Sequence, residues 1–175
     1  MKHIKKYRVY ILAGCLGLIF LLSFRPGNPS AESIQQGYEE HREAFHYVKD
    51  YFFTDNVRCI TRETFLGIGG VEITYNDDPG NPVLANEAKD KKLAESIEII
   101  FDKLGYDYIW DETPTYATSL QLQFIQETNN RSYDKGIAYC EDEGPPHLLL
   151  TEALEPLEDG WFYYEENRDD SHMIG

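Results

Sequence analysis

The hydrophobic pattern divides the chain into a short apolar segment and a longer amphipathic body. Residues 9–24 contain no charged side chain and lie between Arg8 and Arg25. A helix of this length is about 24 Å long, slightly short of the roughly 30 Å hydrocarbon core of a bilayer, but terminal arginines can extend their guanidinium groups toward water. The pattern therefore predicts a basic N-terminus and transmembrane anchor over residues 1–25, followed by a linker at 26–30.

Three other interpretations of this segment compete with the anchor. Residues 12–15, Leu-Ala-Gly-Cys, resemble the lipobox of bacterial lipoproteins, which implies lipidation of Cys15. Cys15 is followed by a mostly apolar stretch, however, where that pattern has a polar tether. A cleaved secretory signal needs small residues before the cut, and Asn28 and Pro29 interrupt the sequence where the cut would fall. A buried core helix fits poorly with the flanking basic residues.

An amphipathic helix is predicted directly after the linker. Ser30 is suited to cap its start, and Thr54–Asn56 to end it. Apolar and aromatic positions recur at spacings of three and four residues, which is the repeat of one helical face. These positions are Ile34, Tyr38, His41, Phe45, Val48 and Phe52.

The rest of the chain alternates between strand and turn patterns, with one further helix. That helix is predicted from about Leu84 to Leu104, with Gly105 as its stop. Apolar residues that alternate with polar ones between turn signals predict the strands. The predicted strands are Val57–Thr61, Leu66–Tyr75, Tyr106–Trp110, Ser119–Gln126, Gly136–Cys140, His147–Ala153 and Trp161–Glu165.

These elements predict an α+β fold. Short connections between successive strands favour antiparallel pairing, since parallel neighbours need a crossover of a dozen or more residues. The expected architecture is an N-terminal transmembrane helix followed by one domain, residues 31–167, in which two main helices pack on one face of an antiparallel sheet. Residues 168–175 are expected to form a flexible tail.

Charge is distributed unevenly between the two parts. The whole chain carries −15, but residues 1–25 contain five basic side chains and no acid, which leaves −20 on the remainder. The excess of Lys and Arg before the apolar segment predicts a single-pass protein with a cytoplasmic N-terminus and an extracytoplasmic body. The acidic body argues against nucleic acid as a partner, because that binding needs clustered cations.

Cys59 and Cys140 are the two cysteines of the body, and an oxidising compartment would allow them to pair. Such a bond would close a loop of about 82 residues and contribute roughly 4 to 5 kcal/mol in the chain-entropy model. The alternative is two buried thiols that pack as small hydrophobic groups. The sequence has no Cys-x-x-Cys motif, so a zinc site or thioredoxin-like chemistry has no support.

The sequence gives only weak signals for a metal site or a catalytic site. Asp77, Asp78 and Asn81 place oxygen ligands of the kind Ca²⁺ prefers in one turn, but their spacing matches no EF-hand and 31 acids make chance clusters common. His41 and His46 are five residues apart and so point to different sides of a helix. No Gly-x-Ser-x-Gly motif is present. No cofactor and no specific metal site is predicted.

Aromatic side chains are the most distinctive feature of the body. An exposed row of tyrosine and tryptophan could stack on sugar rings of an envelope polymer or anchor a protein partner, whereas the alternative is ordinary cross-strand packing. The candidate binding residues are Tyr106, Tyr108, Trp110, Tyr116, Trp161 and Tyr163.

The sequence thus predicts a membrane-anchored extracytoplasmic domain that binds a protein, a glycan or a small ligand in the cell envelope without catalysing a reaction. Two alternatives remain: a small envelope hydrolase that uses acidic residues, and an accessory subunit that assembles with a larger membrane complex. A concave site with two facing carboxylates would favour the hydrolase, and an aromatic patch would favour the binding domain.

Overall fold

The computed structural model describes residues 28–65, 68–111, 120–128, 133–141 and 151–167. These residues form an α+β domain with two α-helices and one antiparallel sheet, which confirms the predicted fold class. The strands are β1 (Val57–Phe65), β2 (Ile68–Tyr75), β3 (Val83–Leu84), β4 (Tyr108–Asp111), β5 (Gln121–Glu127), β6 (Tyr133–Cys140), β7 (Thr151–Glu158) and β8 (Trp161–Asn167).

Helix α1 spans Ala31–Asp55 and follows the sequence pattern closely. The Ser30 side chain accepts a hydrogen bond from the backbone N–H of Ser33, and Asn56 ends the helix in the left-handed conformation. The backbone leaves helical geometry at His41 (φ −125°, ψ 23°), which kinks the helix near its middle. Both predicted ends of this helix are therefore confirmed.

Helix α2 spans Lys91–Glu98 and starts later than predicted. The Asp90 carboxylate caps it by accepting hydrogen bonds from the backbone N–H groups of Lys92 and Leu93. The segment predicted as its first turns instead pairs with β2 as strand β3 and then makes one 3-10 turn, Ala85–Glu87. The predicted start of this helix at about Leu84 is therefore wrong, because the Asp90 cap begins it at Lys91.

The C-terminal end of α2 widens into a π turn, Ile99–Lys103. The backbone N–H of Leu104 donates to the carbonyl of Ile99, five residues earlier, at 3.0 Å. Gly105 then ends the segment with φ +78°, as a left-handed stop. Single π turns inside helices occur frequently beside functional sites.

The eight strands lie in the order β3-β2-β1-β4-β5-β6-β8-β7. The chain between β3 and β4 carries α2, and it returns to place β4 beside β1. One row of paired positions crosses the sheet and faces the helices. The row consists of Ile60, Ile109, Phe124, Ile137 and Tyr163.

The core between the helices and the sheet has two halves of different composition. The aromatic half surrounds Phe45 of α1, whose ring centroid lies 5.0 Å from Phe124, 5.2 Å from Tyr38, 5.6 Å from Tyr106 and 6.3 Å from Trp161. The aliphatic half lies under α2 and consists of Ile60, Ile73, Leu93, Ile97 and Ile100.

A smaller apolar cluster of Ile125, Ala138 and Tyr164 lies on the other face of the sheet. Gly136 is paired with Ile125 of β5 on one side and with Tyr164 of β8 on the other. A Cβ atom at Gly136 would lie 1.8 Å from the Phe124 carbonyl oxygen, so only glycine fits this position of β6.

Neither helix in the described part of the chain has both the length and the apolar character that a membrane span requires. The predicted anchor at residues 9–24, the lipidation candidate Cys15 and the tail at 168–175 lie outside the described residues.

Candidate binding clefts

Three of the six aromatic binding candidates belong to the protein core. Tyr106, Trp161 and Tyr163 are each only 1% exposed. Their rings face the helices, and Trp161 packs against Tyr38 and His46 with centroid distances of 5.3 and 5.0 Å. These three side chains are therefore not available for stacking on a ligand, and the cross-strand packing alternative describes them correctly.

The predicted row at Tyr106, Tyr108 and Trp110 is also divided between two faces of the sheet. Tyr106 precedes β4 and joins the helix-side core, whereas Tyr108 packs against the cluster on the opposite face. Trp110 remains 37% exposed on that opposite face. Tyr116 lies outside the described residues.

Of the two alternatives for Cys59 and Cys140, the structure has the buried free thiols and not the disulfide. Cys59 lies on β1 and Cys140 on β6, and strands β4 and β5 lie between them. Three interstrand spacings, about 14 Å, therefore separate the strands that carry the two cysteines. A disulfide requires Cα atoms within about 7 Å, so the two cysteines cannot pair in this structure, and both are buried as thiols.

The loop candidates Asp77, Asp78 and Asn81 form an exposed turn. The Asn81 side-chain amide donates a hydrogen bond to the Asp78 carboxylate at 2.8 Å, and the Asn81 backbone N–H donates to the Asp78 carbonyl at 3.3 Å. Within the described ranges, no group of three or more His, Cys, Asp or Glu side chains is arranged to hold a metal ion.

His46 contributes to a cluster around Glu158 that links α1 to β7. Its Nε2 atom lies 2.8 Å from Glu158 Oε1, to which the buried Tyr38 hydroxyl also donates, and Arg42 reaches Oε2 at 3.2 Å. Burial alone would raise the pKa of Glu158, but these hydrogen bonds and the Arg42 charge outweigh it and hold the pKa below its usual value. The polar contacts of this cluster therefore connect α1 to β7.

The first concave region, the end cleft, lies where α1 ends and the strands β1, β2, β4, β5 and β6 begin or end. It has a volume of about 470 Å³ and is wide at its mouth. Its lining includes Phe52, Phe53, Thr54, Asn56, Val57, Asn76, Asp111, Leu120 and Glu141.

Phe53 gives the end cleft an exposed aromatic ring. It is 42% exposed, and its ring meets that of Tyr139 edge-on at a centroid distance of 6.3 Å. The Lys49 ammonium lies 4.9 Å from the centre of the Tyr139 ring, which fixes these groups relative to one another.

Two carboxylates, Asp111 and Glu141, line the same cleft. One Glu141 oxygen accepts a hydrogen bond from the backbone N–H of Leu120 at 3.3 Å, which holds the side chain at the cleft wall. The amide of Asn76 donates to Asn56 Oδ1 at 3.1 Å and closes the opposite wall. The end cleft therefore combines one ring with hydrogen-bond acceptors.

The second concave region, the side cleft, lies between α2 and strands β1 and β2. Its volume is about 360 Å³. The lining consists of Arg62, Gly70, Val71, Ala85, Asn86, Ala94, Glu95, Ile97, Glu98 and Asp102. Three small residues, Gly70, Ala85 and Ala94, belong to this lining.

Arg62 is held firmly in the side cleft. Its NH1 atom lies 3.0 Å from Asp102 Oδ1, and its guanidinium carbon lies 5.7 Å from the centre of the Phe101 ring. Asp102 belongs to the π turn, so this irregular turn supplies part of the cleft wall. Neither Arg62 nor Asp102 was a candidate from sequence, because 40 residues separate them along the chain.

No protein-family model, curated protein or solved structure matches this chain.

Proposed function

We propose that the chain is a membrane-anchored extracytoplasmic domain that binds a neutral glycan of the cell envelope through the end cleft, without catalysing a reaction. The observation that carries this proposal is the exposed Phe53 ring beside Asp111 and Glu141 in one concave site. Phe53 would then make the aromatic contact with the ligand that the sequence assigns to six other residues.

This lining suits a ligand with hydroxyl groups and an apolar ring face. The C–H face of a sugar can pack on an aromatic ring, and its hydroxyls can donate hydrogen bonds to ionised carboxylates, which accept hydrogen bonds and donate none. The body charge of −20 would repel an anionic polymer, so a neutral glycan is favoured over a phosphate-rich one.

The proposed anchor is the apolar segment at residues 9–24, with the basic N-terminus in the cytoplasm. Lipidation at Cys15 is the alternative means of attachment. In either case the acidic body is repelled by anionic lipid head groups, which favours binding sites directed away from the membrane.

A hydrolase remains the second candidate because two carboxylates line the end cleft. A general acid needs a carboxyl whose pKa is raised toward neutrality. In the described residues, the carboxyl groups with a shifted pKa are Asp90, Glu158 and Glu165, and each shift is downward. These groups are stabilised as carboxylates by hydrogen bonds within the fold, which supports a structural role for them.

The test is isothermal titration calorimetry of the full-length protein in detergent with soluble oligomers of N-acetylglucosamine and of glucose. We expect binding of at least one oligomer, a loss of at least ten-fold in affinity for Phe53→Ala, and unchanged affinity for Trp110→Ala. Trp110 is the matched control, because it is similarly exposed but lies on the sheet face opposite to that of its neighbour Ile109, which faces the helices.

Loss of binding in Trp110→Ala alone would refute the end cleft as the site. Release of reducing ends from an oligomer, abolished by Asp111→Asn, would replace the binding domain by the hydrolase.

A further inference from the structure

The side cleft has the charge and shape of a binding site separate from the end cleft. Its lining contains three carboxylates, Glu95, Glu98 and Asp102, and one guanidinium, Arg62, so it carries a net charge of −2. Its volume of about 360 Å³ is within the range of small-molecule sites.

The single cation of the side cleft is already neutralised. Arg62 is paired with Asp102 at 3.0 Å and held against Phe101. An anionic ligand would have to displace Asp102 and would be repelled by the other two carboxylates. An anion therefore fits this cleft poorly.

The two remaining carboxylates are available to a ligand. Glu95 and Glu98 are exposed at the rim and form no ion pair with any residue in the described ranges. Below them the wall is apolar, with Val71, Ala94 and Ile97. A ligand with a cationic group at these two carboxylates and an alkyl chain along the apolar wall would be complementary to both.

We propose that the side cleft binds a primary ammonium group carried on a short alkyl chain, with the ammonium at Glu95 and Glu98 and the chain against Val71, Ala94 and Ile97. A free aliphatic amine and a lysine side chain share this chemistry. The site uses none of the end-cleft residues and does not depend on glycan binding.

The experiment is a saturation-transfer NMR titration of the full-length protein in detergent. The probes are n-butylammonium, butyrate and 1-butanol at equal concentrations, with Nα-acetyl-lysine methylamide as the peptide form. We expect n-butylammonium to bind better than 1-butanol, and butyrate not to bind. Stronger binding of the lysine amide than of n-butylammonium would assign the site to a peptide, and the reverse order to a free amine.

Variants test each half of the site. Glu95→Gln with Glu98→Gln is expected to weaken n-butylammonium binding about five-fold, since exposed ion pairs contribute modestly. Glu87→Gln, an exposed acid of the neighbouring 3-10 turn that does not line the cleft, should leave it unchanged. Ala94→Leu should remove binding by filling the cleft. If Ala94→Leu unfolds the domain, the loss of n-butylammonium binding in the double glutamine variant still tests the proposal.

Equal binding of butyrate and n-butylammonium would overturn the proposal. An unchanged affinity in the double glutamine variant, or no binding of any ammonium probe, would also overturn it. Glycan binding at the end cleft is measured separately, so either proposal can fail while the other stands.

Discussion

The two halves of the core under the helices differ in how completely they fill their space. In the aromatic half, one phenylalanine of α1 is ringed by four aromatic side chains within 6.3 Å. In the aliphatic half, a cleft of about 360 Å³, whose lining includes the small residues Ala85 and Ala94, is open to solvent. The difference shows that the conspicuous residues of this chain build the domain, whereas its open sites form where side chains are small or strands end.

Removing the centre of the aromatic half should have the largest effect. Phe45→Ala is expected to lower the free energy of unfolding by about 4 kcal/mol, because it deletes a fully buried ring and leaves a cavity. Val71→Ala, which removes two methyl groups from the half-buried wall of the side cleft, should cost below about 1 kcal/mol. Urea denaturation measures both, and equal losses would contradict the difference in packing.

Adding volume should have opposite consequences at a buried position of the core and at the side cleft. Ala44→Leu places three extra carbons at a buried position of α1 and should cost about 2 kcal/mol through overpacking. Ala94→Leu adds the same carbons beside the side cleft and should leave stability unchanged or raise it by about 0.5 kcal/mol. Thermal unfolding of the two variants gives the comparison, and a destabilised Ala94→Leu protein would show that the cleft is not open space.

The Glu158 cluster should stabilise the aromatic half by a smaller amount. Glu158→Gln replaces a carboxylate that Tyr38, Arg42 and His46 contact, and should cost about 1 to 2 kcal/mol. Asp159→Asn, at the adjacent exposed turn position, is the control and should have no effect. Denaturation at neutral pH measures the difference, and a similar cost for both changes would mean that the cluster adds nothing specific.

The smallest effect concerns pH. The pKa of Glu158 and that of Glu165 are lowered in the folded state, against the effect of burial, by hydrogen bonds from Tyr38 and His46 and from Lys135 and Tyr163, respectively.

The stability that these two carboxylates contribute is fully present above their usual pKa of 4.5 and is lost as the pH falls through the lowered values. Replacing both by glutamine should therefore flatten the decline of stability between about pH 5 and pH 2. Urea unfolding over this range measures the slope. An equally steep decline would show that other carboxylates cause it.

Much of the fold follows from local signals. The spacing of apolar residues and the cap at Ser30 place α1 correctly, and strand alternation identifies most of the sheet. Strand β3 has only two residues and is held by pairing with β2, so no periodic pattern reveals it. The π turn likewise depends on one hydrogen bond, from Leu104 to Ile99, that composition does not encode.

The open sites were harder to predict because their residues come from distant parts of the chain. Arg62 and Asp102 meet only after α2 packs against β1. Phe53 directly follows a helical stripe position, Phe52, but it is 42% exposed whereas Phe52 is buried. The sequence identifies Tyr106, Trp161 and Tyr163 as aromatic. Whether each ring is exposed or buried, however, depends on the strand register and on which face of the sheet the helix covers.

The length of helix α1 also bears on the distance between the proposed anchor and the end cleft. It has 25 residues and is therefore about 37 Å long. The proposed anchor precedes its first turn, and the end cleft lies at its last turn. With the proposed anchor in place and the helix upright, the cleft would lie several times the Debye length of about 8 Å from the lipid head groups. Under this proposal, a ligand at the end cleft would meet the charge of the protein alone.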